Sequence, residues 1–326
     1  MSAAAKHKPS RTAFLCAFAA IYIIWGSTYL GIRIAVETMP PFLMSSARFI
    51  IAGGVLMALV RLRGAPKPTT RQWLDNAFIG TCLLLGGNGL VSWAEQSLDS
   101  GFTALVIGIQ PVFMVLTEWF WRGGQRPTSV TFAGLLLGFV GLAWLVSPWG
   151  SSAATGINLP AVALVLFSCT LWCFGSIWSR HVKNPAPAFL ASAMQMLCGS
   201  VALLVGALVH GDFAALHVVA ISRSSFLAFL YLAFVGSLVG FSTFVWLMKH
   251  STPARVSTYA YVNPIVAVFL GWLILGERIT PRMLLATAII IGAVVIITTQ
   301  KIRQAKPAPS PEPLTAPEPA IETEQS

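Results

Sequence analysis

The chain has 326 residues, of which 56% are hydrophobic and 10% charged, with a mean hydropathy of +0.75. A soluble domain carries about a quarter charged residues, so 21 Lys+Arg and 11 Asp+Glu are too few to coat a soluble globule of this size. Soluble enzyme, coiled coil and disordered chain all fit poorly, and the composition describes a polytopic membrane protein.

A hydrocarbon core of about 30 Å takes about 20 helical residues to cross, and ten segments reach that length: 13–33, 42–61, 73–95, 102–121, 128–147, 159–180, 187–209, 224–248, 255–275 and 282–300. The first follows a basic Lys6-His7-Lys8 start, is too long for a signal-peptide core, and carries Tyr22, Trp25 and Tyr29 on one face. The second, after Pro40-Pro41, has Arg48 towards one end, where membrane anchoring competes with a gating pair. On the third, Asn88, Ser92 and Glu95 at i, i+4 and i+7 form one polar stripe. The fourth contains Gln110-Pro111 and, near its other end, Glu118. The sixth carries Trp172, Ser176 and Ser179, and on the ninth Tyr259 and Asn263 share a face just before Pro264. Beyond 302 the Pro- and Glu-rich sequence offers almost no apolar surface and is expected to be a disordered tail.

Counting Lys and Arg on alternate sides sets an expected orientation. With a cytoplasmic N-terminus, 16 of the 21 fall inside and five, Arg33, Arg48, Arg223, Arg278 and Arg282, fall outside. Basic residues standing singly or in pairs between apolar runs fit membrane orientation, so no nucleic-acid partner is expected despite the net charge of +10. The five cysteines lie inside apolar runs without a CxxC and read as small buried hydrophobes.

The chain also repeats. A shift of 153 residues brings Gly87 onto Gly240, Trp93 onto Trp246, Pro111 onto Pro264, Trp119 onto Trp272 and Gly123 onto Gly276. Each half holds five spans, an odd number, so the halves are inverted relative to one another, as in secondary transporters with a substrate site near the midplane. The organisation expected is a cytoplasmic N-terminal tail (1–12), a first five-helix repeat (13–147), an outer linker (148–158), a second repeat (159–301) and a cytoplasmic tail (302–326).

Tyr22-Ile-Ile-Trp25-Gly26-Ser27-Thr28-Tyr29, Ile32-Arg33, Pro40-Pro41 and Ala47-Arg48-Phe49 resemble the opening of EamA-type members of the drug/metabolite transporter superfamily. Tyr259-Ala260-Tyr261-Val262-Asn263-Pro264 and Gly276-Glu277 resemble that family's ninth-span signature. The resemblance covers about residues 12–301 and is nearest to the YedA-like inner-membrane group. It implies an all-α integral membrane fold of ten transmembrane helices in two inverted five-helix repeats around a central cavity. One departure is Arg122-Gly123-Gly124-Gln125 after the fourth span, where the second half has Gly276-Glu277-Arg278, so the role of that glutamate is not duplicated.

Polar groups inside a bilayer are costly unless paired or wetted. The candidate substrate-binding set is Trp25, Ser27, Asn88, Ser92, Trp93, Glu95, Gln110, Trp172, Ser176, Tyr259, Tyr261 and Asn263. Each could line an aqueous path or join helices by hydrogen bonding. Pro111 and Pro264 are candidate hinges, since proline frees the carbonyl four residues earlier. Glu95 is the better placed proton-coupling carboxylate, ahead of Glu118. No GxxxxGK[ST], HExxH or GxSxG occurs, so no enzyme activity, metal or cofactor is expected. The reading is an exporter of small amphipathic metabolites or drugs working by alternating access in the inner membrane, with a small-molecule substrate and the lipid bilayer as its partners. The alternative is a lipid-handling protein or a polytopic membrane enzyme.

Overall fold

A computed structural model describes residues 10–121, 126–146, 158–183, 185–256 and 258–304. These residues form helices and connecting turns, with no strand among them. Nine helices are long and apolar enough to cross a membrane: α1 Arg11–Ala35, α2 Pro41–Leu62, α3 Thr70–Ala94, α4 Ser100–Phe120, α5 Ser129–Val146, α6 Leu159–His181, α7 Ala188–His210, α8 Arg223–His250 and α10 Pro281–Gln304. The remaining one, α9, is Tyr259–Leu270 continued by a π-helical turn, Gly271–Leu275. The result is the all-α, ten-helix membrane fold expected from the sequence, in two halves of five.

In lipid every backbone group must be satisfied within the segment, which is why continuous apolar runs become helices here. Prolines open α2 and α10 at the first helical position, where the missing N–H costs nothing. Large apolar side chains recur at helical spacing on the outward faces, as with Phe132, Leu136, Val140 and Trp144 on α5 and Val201, Leu204, Val205 and Leu208 on α7. The most extensive packing joins α2 to α7 and α5 to α10, each helix to its counterpart in the other half. Ten crossings place residues 10 and 304 at one end of the bundle, the terminal end; the turns 36–40, 95–99, 211–222 and 276–280 form the distal end.

Two interruptions bear on function. Thr81–Gly89 in α3 and Leu232–Phe241 in α8, at corresponding places in the two halves, are π-helical, a form rare enough that long runs tend to mark functional sites. The two candidate hinges differ. The chain turns at Gly108-Ile109, just before Gln110-Pro111, splitting α4 into Ser100–Ile107 and Gln110–Phe120. Pro264 instead lies inside the unbroken helix Tyr259–Leu270.

Candidate functional site

A central chamber of about 80 Å³ is lined by α1, α2, α3, α4, α6, α8 and α9. Trp25, Thr28, Tyr29 and Ile32 come from α1, Arg48 and Phe49 from α2, Gly87 and Asn88 from α3, and Gln110 from α4. The second half adds Ser168, Cys169 and Trp172 from α6, Gly236, Ser237 and Phe241 from α8, and Tyr259 from α9. Both π-helical runs therefore contribute wall. Tyr259 Oη donates to Gln110 Oε1 at 2.7 Å, tying the two halves across the chamber.

The terminal side of the chamber is floored by rings. Trp25 is 5.5 Å from Trp172, 4.9 Å from Phe244 and 5.1 Å from Tyr259, and Trp172 is 5.3 Å from Phe244. Such tilted and edge-on contacts are the favoured aromatic geometry. Phe244 also faces a second cavity of about 300 Å³ at the terminal end, walled by Ile79, Leu83, Val245 and Met248, with Ser179, Arg180 and Lys249 towards its mouth. A ring partition thus separates a vestibule from the chamber. Ligand sites usually enclose 300 Å³ or more, so the chamber is smaller than a drug-sized molecule needs.

The distal end is sealed by carboxylates that cap helices of the other half. Glu277 Oε1 accepts from Ser100 N (2.9 Å) and Ser100 Oγ (2.6 Å), and Oε2 accepts from Gly101 N at 2.9 Å. Asp99, the local N-cap residue, makes no such bond. Likewise α2 starts on proline with no side-chain cap of its own, and Asp212 Oδ2 accepts from Phe42 N (2.8 Å) and Leu43 N (2.9 Å). Both acids follow a left-handed glycine, Gly211 (φ 85) and Gly276 (φ 66), a conformation that carries no penalty without a Cβ and ends the preceding helix. Orphan N–H groups and the helix dipole make a helix start a natural carboxylate site. Ser225 Oγ donating to Ile34 O at 2.7 Å and Ser222 N donating to Thr38 Oγ1 at 3.1 Å complete the closure. Asp99, in this seal, has its carboxyl raised above the ordinary value by burial and then by the charge of Glu277, with Arg33 opposing.

The EamA-like transporter family model matches residues 12–147 and 159–299, once for each half. The chain belongs to this family. It is 36% identical over 302 residues, covering 90% of this chain and 93% of the relative, to the Escherichia coli (strain K12) protein named "Uncharacterized inner membrane transporter YedA". It is 24% identical over 297 residues, 85% of this chain and 90% of the relative, to the "Probable amino-acid metabolite efflux pump" of the same organism. One crystal structure superposes with a TM-score of 0.65 at 20% identity, over 91% of this chain and all of the other, which speaks for the fold alone.

In this EamA-family chain the chamber gathers Trp25, Asn88, Gln110, Trp172 and Tyr259 from the residues singled out in the sequence. The others stand elsewhere. Ser92 bonds Ser45 Oγ at 3.1 Å, and Arg48 Nη2 donates to Asn88 Oδ1. The α3 stripe therefore meets a matching stripe on α2, and only its Asn88 end reaches the chamber. Glu95 is wholly buried beyond it, and neither carboxyl oxygen has a hydrogen-bond partner. Ser27 shares a 2.5 Å hydrogen bond with Tyr231 of α8, and Ser176 is buried off the wall. Trp93 packs on Phe42 and His210 at the distal end. Asn263 has its amide 3.1 Å from the carbonyls of Tyr22 and Tyr259, and with the nitrogen assigned to that side it donates to both, joining α1 to α9. The Tyr261 side chain, Arg122 to Gln125 and the tail beyond 304 lie outside the described residues. Glu118 lies in electrostatic range of Arg180.

Sequence reasoning missed Arg48 and the serines of the wall. Arg48, read as an end-of-helix residue, is 2% exposed and faces the chamber. A signal for it existed in the sequence: Ser45 and Arg48, at i and i+3, are the partners that the α3 stripe needed.

Proposed function

We propose that this protein is a secondary transporter that exports small amphipathic metabolites or drugs by alternating access, with 13–147 and 159–301 as the moving halves. It lies in the inner (plasma) membrane with both termini cytoplasmic, and it is not an enzyme. The supporting observation is a central chamber, polar and aromatic, lined by helices of both halves and separated by a ring partition from a vestibule at the terminal end. Amide and hydroxyl groups of Asn88, Gln110 and Tyr259 supply hydrogen bonds, and Trp25 and Trp172 supply stacking faces for an organic solute. The relative named as an amino-acid metabolite efflux pump makes amino-acid metabolites the first substrates to try.

The test is flux in proteoliposomes against a metabolite panel, with and without an imposed pH gradient. Accumulation above protein-free vesicles for at least one amphipathic solute is expected, and none for any would overturn the reading. Orientation is checked separately by cysteine placed at Ser152 or Ser310 in a variant lacking native cysteines. An impermeant thiol reagent added to whole cells should label position 152 and spare 310; the reverse result overturns the topology.

A further inference from the structure

The sequence between Glu118 and Asp212, and again between Asp212 and Glu277, contains no acidic residue, so α6, α7, α8 and α9 bring no carboxylate to the path. Cations are present at two depths. At the vestibule mouth, Arg180 Nη1 donates to Ser251 O at 3.3 Å and the Lys249 ammonium donates to the Ala186 carbonyl. Neither bond exhausts the five donors of a guanidinium or the three of an ammonium, and Glu118 of α4 lies in electrostatic range of Arg180. Deeper, past the ring partition, Arg48 faces the chamber. One of its donors holds Asn88, while its Nε has no partner. Its neighbouring acid, Glu95, accepts no hydrogen bond, so the guanidinium fork is not consumed by a carboxylate. A charged side chain is retained inside a membrane protein only at a cost of several kcal/mol, and it marks a functional position unless it is paired.

We propose that Arg48 is the anion-anchoring residue of the chamber, that Arg180 and Lys249 form the first station on the way to it, and that the solute is an organic carboxylate with an apolar body. This rests on the transporter reading above. The planar fork of Arg48 suits a carboxylate in two-point contact, while Trp25 and Trp172 take the apolar body. The vestibule repeats the pairing in looser form: cations at the mouth, an apolar wall beneath. Rim charges act mainly on encounter and its salt dependence, and buried ones on residence.

The probes are 3-phenylpropionate and its neutral isostere 3-phenylpropionamide. Binding is read by quenching of tryptophan fluorescence in the detergent-solubilised full chain, and flux is read in proteoliposomes. The wild type is expected to favour the acid over the amide at least tenfold. Arg48→Gln should bring that ratio near one, and Arg48→Lys should restore part of it. Arg180→Gln with Lys249→Gln should lower the ratio several-fold and flatten its dependence on ionic strength. Equal binding of acid and amide by the wild type, binding of neither, or an unchanged ratio in the glutamine variants would overturn the proposal. If Arg48→Gln does not fold, the lysine variant and the rim pair decide the matter alone. Selective binding without flux would overturn the transporter reading and leave the anion site standing; flux without selectivity would do the opposite.

Discussion

The distal and terminal ends of the molecule are held by different chemistry. At the distal end, Asp212 and Glu277 from the second half cap the starts of α2 and α4 in the first. At the terminal end the turn at Gly64, also left-handed (φ 81), carries no acid and is followed by Ala65. There the halves are joined by neutral bonds, Tyr22 Oη with Thr258 Oγ1 at 2.6 Å and Gln195 Nε2 to Asn76 Oδ1 at 2.9 Å, and by the electrostatic interaction of Glu118 with Arg180. Hydrogen bonds to charged groups contribute about 1.5–3 kcal/mol against about 0.5–1.5 for neutral ones. Two acids at the turns therefore give the distal end charged caps across the halves that the turn at Gly64 lacks.

Removing both capping acids should produce the largest effect on that asymmetry. Glu277→Ala with Asp212→Asn is expected to cost the sealed state about 3 kcal/mol, which is about a hundredfold in population. A cysteine at Thr28, on the chamber wall, should then react faster with an impermeant reagent added from the distal side; an unchanged rate would mean that apolar packing alone holds the end shut.

Next in size is the contrast between a wall residue and a joining residue. Trp25→Ala should lower flux at least tenfold while leaving folded yield near wild type. Asn263→Ala, which removes the link between α1 and α9, should lower folded yield by a few-fold and spare activity per folded molecule. Size-exclusion profiles alongside flux separate the two, and the opposite pattern would exchange their roles.

Coupling follows. Glu95 is buried without a hydrogen-bond donor, whereas Glu118 is electrostatically engaged with Arg180 at the other end. Glu95→Gln is expected to abolish the response of flux to a pH gradient, and Glu118→Gln to weaken it only slightly. Should Glu95→Gln respond as the wild type does, Glu95 is not the proton carrier.

The smallest effect concerns Asp99. Its carboxyl is raised by burial and by Glu277, so the folded state binds this proton more tightly than the unfolded state does. The group therefore detracts from stability at neutral pH, and that deficit is relieved as pH falls through the raised value. Asp99→Asn should raise the melting temperature by a degree or two at pH 7 and flatten its rise towards pH 5. A melting temperature insensitive to pH in the wild type would remove Asp99 from the seal.

The sequence alone determined the ten crossings, their division into two halves and five residues of the chamber wall. Lipid enforces apolar length and helical period so strongly that Trp25, Asn88, Gln110, Trp172 and Tyr259 could be placed on polar or aromatic faces without coordinates. What those faces meet was decided only in three dimensions. Ser92 and Glu95 share a stripe with Asn88, yet α2 presents Ser45 and Arg48 to it and turns most of it into a helix–helix joint. Pro111 and Pro264 are repeat mates, yet only the first follows a break, because the turn at Gly108-Ile109 interrupts the helix there. The caps of α2 and α4 come from residues about 170 positions away in sequence. Periodicity reports which side chains share a face, and it carries no information on which helix will stand opposite, so partners, caps and the depth of Arg48 belong to the tertiary structure.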